Sequence, residues 1–370
     1  MEEDVLERNA GQIAAKRLLE GVPYRDLARQ FGYAPSTIHR RLSGWLRDGR
    51  FGIVDYHDTG GPRLLGYDEG LENELSRRTP LWRARVAHVV GAEAATTDRY
   101  LGNPQHPEVQ EAYKAADDLH RALGQACASQ VLVHQLRRGM RIGVSSGRGA
   151  AYAVDALVDH PWAGGFEGIH VASLCSGARV GSWSGRDRRS LDADENAFAL
   201  AAALRVPEEQ VALMGDAAEG VGTHWDFTPV NLVLAGMGCL NTSHHLLRSR
   251  ARSGAIAEPL GRIEQYQAQY PELRFAAAEI AHRLFPVRDN IPPQFLEAIE
   301  ESNSLVVAAP AETMRNAEVM ILVAGGAQKI DALVRLVTGQ TSAPVELRNL
   351  ILVTDAWTAQ QIVARVSRSG

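Results

Sequence analysis

The chain has 370 residues, is 45% hydrophobic and 22% charged, and carries a formal net charge of −5 at pH 7. That length calls for two or more domains, and the composition is that of a soluble globular protein able to bury a large core. No apolar run is long enough to span a bilayer, and the opening MEEDVLERNA is too acidic and polar for a secretory leader. The three cysteines, Cys127, Cys175 and Cys239, are odd in number, far apart and in no metal-type spacing, so a reduced cytoplasm is the expected compartment, with no cofactor and no metal. Of the 39 basic residues 36 are arginine, and the three lysines are Lys16, Lys114 and Lys329.

A helix is expected over 9–19. Residues 23–46, PYRDLARQFGYAPSTIHRRLSGWL, then read as a helix, a tight turn and a second helix. Leu27, Ala28 and Phe31 share one face of the first helix, Gly32 stops it, and Pro35 suits the first turn of the next, where its missing N–H has no partner. Ile38, Leu42, Trp45 and Leu46 pack back, which leaves Ser36, Thr37, His39, Arg40 and Arg41 on or near the outer side. This is the layout of a helix-turn-helix that reads double-stranded DNA with its second helix in the major groove. Between Gly21 and Arg50 six arginines (25, 29, 40, 41, 47, 50) face Asp26 and Asp48, so the segment is +4 in an acidic chain. A basic island of this kind is the footprint of phosphate binding. Arg25, Pro35, Ser36, Thr37, His39, Arg40 and Arg41 are therefore the expected DNA-contacting set.

The β-prone run 51–56 suits a short wing, and HDTGGP at 57–62 suits a linker. Leu71 and Leu75 mark an amphipathic stretch that fits a connecting helix or an oligomerisation helix equally well. A strand is expected over 85–90 and a long helical region over 107–135. Beyond it, short apolar runs at 140–144, 168–174, 231–235, 305–309, 319–324 and 350–354 alternate with helices at 149–158, 193–204 and 329–337. Such alternation predicts a mostly parallel α/β sheet covered on both faces.

Several runs end in small-residue turns: Ser145-Ser-Gly-Arg-Gly149, Gly236-Met-Gly-Cys239 and Ala324-Gly-Gly-Ala327. In open α/β sheets ligands bind beyond the carboxyl ends of strands, where helix N-termini attract anions. Three such turns in one domain predict a ligand crevice.

A helix-turn-helix followed by this pattern resembles bacterial sugar-binding regulators of the SorC family, also called DeoR-type regulators. The resemblance lies in GVPYRDLARQFGYAPSTIHRRLSGWLRDGRF, in GMRIGVSSGRGAAYAVDAL, and most specifically in VMILVAGGAQKIDALVRLV and NLILVTDAWTAQQIV. Ala324, Gly325, Gly326, Lys329, Thr354, Asp355, Thr358 and Ala359 fit the family's C-terminal pattern. The resemblance implies a fold related to sugar-phosphate isomerases and deaminases, kept as a sensor for a sugar, sugar phosphate or other anionic metabolite, in a homodimer or homotetramer. It implies that Ser145, Ser146, Gly147, Arg148 and Gly149 cradle the effector, that Lys329 pairs with its anionic end, and that Gly238, Glu279, Gly325 and Gly326 belong to the same site. The chain departs from the family at its first loop, which has Ser-Ser-Gly-Arg-Gly in place of a Trp-Gly pattern. It departs again near 279–285, where Gly-Asp and Phe-Phe-Asp are usual. Arg148 suits a carboxylate as well as a phosphate.

Weaker candidates are the histidines His224, His244 and His245 with Asp226, whose spacing matches no metal motif, and Cys175 and Cys239, which read as small core residues. The cluster Arg186-Asp-Arg-Arg189 reads most simply as a solvated loop, with a subunit contact as the alternative. Together these features predict a cytoplasmic, non-enzymatic transcriptional regulator without a membrane partner. Its DNA-binding domain is expected over 1–58 and its effector domain over 59–370. An isomerase- or deaminase-like enzyme is the alternative.

Overall fold

Ile13, Ala14, Leu27, Ile38, Leu42 and Trp45 form a closed apolar core at the N-terminal end of the chain. The computed structural model describes residues 6, 9–47, 51–55, 62–89, 92, 107–158, 167–175, 192–214, 230–239, 256–287, 290–340 and 347–369. Three helices surround that first core: α1 (Ala10–Leu18), α2 (Tyr24–Phe31) and α3 (Pro35–Arg47). Gly32 ends α2 at φ 74°, in the left-handed region where a residue without Cβ carries no penalty. A three-residue turn then leads into α3, as the spacing of apolar residues predicts.

The run after α3 forms β1 (Phe51–Asp55), paired antiparallel with β2 (Pro62–Gly66), so the expected wing is a hairpin. Pro62 lies in its second strand rather than in a linker, because it faces Asp55 across the ladder; residues 56–61 lie outside the described residues. The hairpin is packed on both sides. Phe51 and Leu64 rest against the three-helix core, whereas Val54 and Leu65 are buried in the core of the following α/β unit. Adjacent strand residues point to opposite faces, so Leu64 and Leu65 alone serve two cores.

The amphipathic stretch is α4 (Glu69–Arg78), capped by Asp68, whose carboxylate accepts the Leu71 N–H at 2.9 Å. Its Leu75 is buried in the α/β core, where it joins β3 (Arg83–Ala87). The remaining strands of the main sheet are β4 (Arg141–Val144), β5 (His170–Ser173), β6 (Val211–Ala212), β7 (Leu232–Gly236), β11 (Val319–Val323) and β12 (Leu350–Asp355). They lie in the order β3-β12-β11-β7-β4-β5-β6, every neighbouring pair parallel. Both β11 and β12 are buried at every position, which is why VMILV and LILVTD read as unbroken apolar runs.

Alternate residues of these strands feed two cores. Ile321, Val323, Ile351 and Val353 face α5 (Pro107–Cys127), α6 (Arg148–Val158) and α7 (Ala193–Leu204). Met320, Leu322, Leu350 and Leu352 face α4, α11 (Ile330–Val337) and α12 (Ala356–Ser369). Helix α5 runs on through a π turn, Ala128–Leu132, to Gln135, in line with the helical region expected over 107–135. A smaller three-stranded antiparallel sheet, β8 (Gly238–Cys239), β9 (Ala277–Ile280) and β10 (Arg283–Pro286), packs with α8 (Ala257–Gln269) and α9 (Pro293–Leu305) around Phe295.

Several expectations are corrected. The run 305–309 is not a strand of the sheet. Helix α9 continues to Leu305, and the extended residues after it make only an isolated bridge from Ala308 to Cys175 before Pro310 opens α10 (Ala311–Arg315). A short apolar run looks the same whether it ends a buried helix or starts a strand. The turn Gly236–Cys239 does not lead into a helix, since β7 passes almost directly into β8 of the second sheet. The strand expected over 85–90 is Arg83–Ala87, and the helix expected from Lys329 begins after a 3-10 turn, Ala327–Lys329.

Helices α5 and α6 approach closely at Gly124: a Cβ there would lie 2.5 Å from the Tyr152 carbonyl carbon. Gly124→Ala gains helix propensity of about 1 kcal/mol. It also forces two helix backbones apart, and overpacking of this kind costs about 1–3 kcal/mol. The variant is expected to be no more stable than wild type, and less stable if the helices cannot separate, by urea denaturation.

Candidate effector site and DNA-reading surface

On α3, Ser36, His39 and Arg40 are exposed, Thr37 and Arg41 are half-buried, and Ile38 and Leu42 face the core. The outer face is thus the polar and basic set expected from the sequence. Pro35 is exposed at the start of the helix, and Arg25 and Arg29 are exposed on α2. His39 packs edge-on against Tyr24, with ring centroids 5.0 Å apart, and Arg17 covers the same tyrosine at 4.6 Å. Tyr24 therefore braces α3 from one side, while Arg40 and Ser36 stay exposed.

In the main sheet the order of connections reverses between β4 and β7. From β4 the chain moves outward to β5, and from β7 it moves the other way to β11 and β12. A crevice forms at such a point, beyond the carboxyl ends of the strands. The Ser145–Gly149 loop follows β4, Gly238 follows β7, Gly325 and Gly326 follow β11, and Asp355 closes β12. The expected effector residues are therefore gathered at one end of the sheet.

Their roles differ in detail. Ser145 is fully buried. Its hydroxyl donates to the Ser146 carbonyl at 2.9 Å and accepts the Gly236 N–H at 3.2 Å, which ties the loop to β7. Asn196 on α7 donates to the Ser145 carbonyl at 3.1 Å. Gly149 is needed because a Cβ would stand 2.8 Å from the Val323 carbonyl oxygen. Gly147 takes φ 102° and hands the chain to the first turn of α6, where Arg148 is half-buried.

Behind β11, the Asp355 carboxylate accepts the Gly326 N–H at 3.2 Å, the Thr358 N–H at 2.8 Å and the Thr358 hydroxyl at 2.7 Å. Thr358 Oγ1 also accepts the Gly326 N–H at 2.9 Å. Burial pushes the Asp355 carboxyl above its ordinary pKa, against these stabilising hydrogen bonds. Gly325 packs so tightly on this carboxylate that a side chain there would collide with it.

Lys329 is only 5% exposed, so it is not a solvated helix-start lysine. Its Nζ donates to Nε2 of His120 on α5 at 3.2 Å, and Nδ1 of His120 donates to the Ala116 carbonyl at 2.5 Å. These two bonds require the neutral tautomer protonated at Nδ1. Burial first, then the charges of Lys329 and Arg148, hold His120 well below the usual histidine range. His120 was not anticipated. It sits on a long helix among Ala116, Leu119 and Leu123, and its polar interruption of an apolar face is the only trace of it in the sequence.

Glu279, on β9, is half-buried and accepts the backbone N–H of His282 at 2.6 Å. His282 was also missed. It is buried at the two-residue tip of the β9–β10 hairpin, and its Nε2 lies 2.6 Å from the Ser146 hydroxyl. Ala281 and His282 both have positive φ, 49° and 65°, in a turn that favours glycine. This strained turn delivers an imidazole to the loop after β4, and strain of this kind tends to gather at functional sites. The second sheet thereby reaches over the Ser145–Gly149 loop.

No family model matches the sequence, and no curated protein matches it either. Among solved structures, the full-length sorbitol operon regulator SorC from Klebsiella pneumoniae superposes with a TM-score of 0.51 at 17% identity, over 98% of this chain and 99% of that one. A transcriptional regulator from Streptococcus pneumoniae TIGR4 superposes with a TM-score of 0.50 at 14% identity, over 80% of this chain and 97% of that one. The chain has the SorC fold. Both layers of that fold, the N-terminal helical unit and the α/β unit, are covered by the match to the Klebsiella protein. Among the described residues no His, Cys, Asp and Glu are grouped to hold a metal, and no described helix is long and apolar enough to cross a membrane. His224, His244, His245, Asp226 and Arg186–Arg189 lie outside the described residues. Cys127 and Cys175 are buried, and burial pushes the Cys127 thiol far up, as suits an inert core residue.

The neutral state of His120 has a consequence for stability. The unfolded chain binds a proton on this histidine near pH 6.5, and the folded chain does not. Stability is therefore lost as pH falls below about 6.5, with a slope approaching about 1.4 kcal/mol per pH unit for one proton. Denaturant unfolding at several values between pH 7.5 and 5.5 should show a shallower loss in His120→Gln than in wild type.

Proposed function

We propose that the protein is a DNA-binding transcriptional regulator whose operator affinity is set by a small anionic metabolite, a sugar, sugar phosphate or related acid. The observation that carries this reading is a buried ammonium, Lys329, at the carboxyl ends of parallel strands, in a chain whose first helices present an exposed arginine-rich recognition face. The resemblance in the AGGAQK and VTDAWTA segments and the shared fold support it. Helix α3 would enter the major groove with Arg40, His39 and Ser36 toward base edges, and Arg25 and Arg41 toward phosphates. In the crevice, the start of α6 supplies backbone donors and Arg148, and Lys329 supplies a point charge for the anionic end of the effector. A single helix-turn-helix offers little contact, so tight binding calls for a dimer or tetramer on paired half-sites about one DNA turn apart, roughly 34 Å. Effector binding would favour one arrangement of the paired recognition helices over another.

The test is a thermal-shift screen of sugars, sugar phosphates and small acids. DNA binding is then measured with each hit, on fragments selected from random DNA by the wild-type protein. A turnover assay with the same sugar phosphates separates this reading from an isomerase or deaminase of related fold. Arg40→Ala is expected to weaken binding to the selected fragment about tenfold or more and to relax its sequence preference. If Arg40→Ala and His39→Ala both keep affinity and preference, α3 is not the reader. Lys329→Ala is expected to cost about 1.5–3 kcal/mol of effector affinity by calorimetry.

A further inference from the structure

Lys329 does not stand alone in the crevice. Its ammonium is aimed by His120, and His120 belongs to α5, the helix on which the β1–β2 hairpin packs. The Nδ1–H bond to the Ala116 carbonyl fixes the imidazole to its own helix, so movement of the Lys329 ammonium is transmitted to the helix backbone rather than absorbed by a rotating ring. From His120, Leu119 and Leu123 share one continuous core with Val54 of β1 and Leu65 of β2. The neighbouring hairpin residues Phe51 and Leu64 lie against the helix-turn-helix core, and Phe51 meets Trp45 of that core edge-on at 6.3 Å.

The π turn that continues α5 is tied by a polar route to Tyr67, the residue that follows the hairpin. Arg85 on β3 donates to Gln130 in the π turn at 3.1 Å and pairs with Glu72 on α4 at 3.2 Å. It also lies over the ring of Tyr67, next to β2, at 4.0 Å. Helix α5 therefore meets the Lys329 site at one point and the hairpin by apolar contact, while Arg85 links the π turn that continues it to Tyr67, the residue after β2. Packed interfaces of this kind move as units instead of deforming continuously.

We propose that His120 is a positioning residue that aims the Lys329 ammonium at the effector and couples its occupancy, through α5, to the β1–β2 hairpin that carries the helix-turn-helix. This rests on the reading of the crevice as the effector site. When an anion draws the ammonium toward itself, the Lys329–His120 bond is altered, and α5 with its hairpin settles in the arrangement that fits the new position. Binding energy at the crevice is thereby spent on the joint below the recognition helix, which is the requirement for allosteric control.

The experiment uses the full chain and inorganic phosphate as the probe. Phosphate affinity is measured by thermal shift, and backbone amide exchange is followed at β1 and β2 with and without phosphate. In wild type, phosphate at ten times its dissociation constant is expected to slow exchange in the hairpin by up to about tenfold. In His120→Leu, which cannot accept from the ammonium, phosphate should bind about tenfold more weakly and the hairpin response should disappear. His120→Gln places an amide oxygen near the position of Nε2 and should restore both, which a merely space-filling role would not require. If His120→Leu does not fold, His120→Asn, too short to reach Lys329, takes its place. Equal phosphate affinity in wild type and His120→Leu overturns the positioning role. Unchanged hairpin exchange in wild type at saturating phosphate overturns the coupling. Phosphate binding that is absent from wild type, or indifferent to Lys329→Met, overturns the reading of the crevice itself and the inference with it.

Discussion

The carboxylate of Asp355 is the tie on which the crevice depends. It stands at the end of a strand buried at every position and gathers the N–H of Gly326 and both the N–H and hydroxyl of Thr358. A buried carboxylate with fewer partners would be costly to keep in a core. With them, it locks the turn after β11 to the start of α12 and so fixes where the next turn, with Lys329, must lie. The absence of a side chain at Gly325 belongs to the same constraint, because nothing larger fits against this carboxylate.

From that fixed turn follows the electrostatic character of the site. A lysine removed from water requires a partner, and a carboxylate would have cancelled its charge. One partner here is a neutral histidine, which accepts from the ammonium without adding a negative charge. Burial first, then the charges of Lys329 and Arg148, keeps that histidine neutral. The two groups are thus mutually consistent: a buried ammonium donates to an imidazole that burial keeps neutral.

The hairpin between the two units follows a different rule. A two-stranded ribbon is marginal by itself and needs a surface on which to pack. This one has two, because its strand alternation sends Val54 and Leu65 to one core and Phe51 and Leu64 to another. Ile53 remains 42% exposed. The wing read from composition is therefore first a joint: neither unit can shift against it without disturbing the other.

The helix-turn-helix was legible because its code is local. Apolar spacing, a glycine stop and a run of arginines all lie within 24 residues, and each acts through its neighbours in sequence. The parallel strands were legible for a related reason, since burial on both faces leaves unbroken apolar runs such as VMILV. The same signal misled at 305–309, where the end of a buried helix produced an apolar run of equal length. The turn at Gly325-Gly326 and Lys329 could be found through the family pattern. That the lysine is buried could not, because burial is decided by α5 crossing from more than 200 residues away. His120 and His282 show the limit most clearly. Each is a single histidine with no motif around it. Each acquires its partner only when the sheet order brings α5 beside β11, and when the β9–β10 hairpin folds over the loop after β4. Periodicity in a sequence reports which face of an element is apolar; which elements meet is fixed by the packing of all of them at once. The sequence by itself determined most of the elements and the small-residue turns after the strands, and only the tertiary structure decided which side chains meet at them.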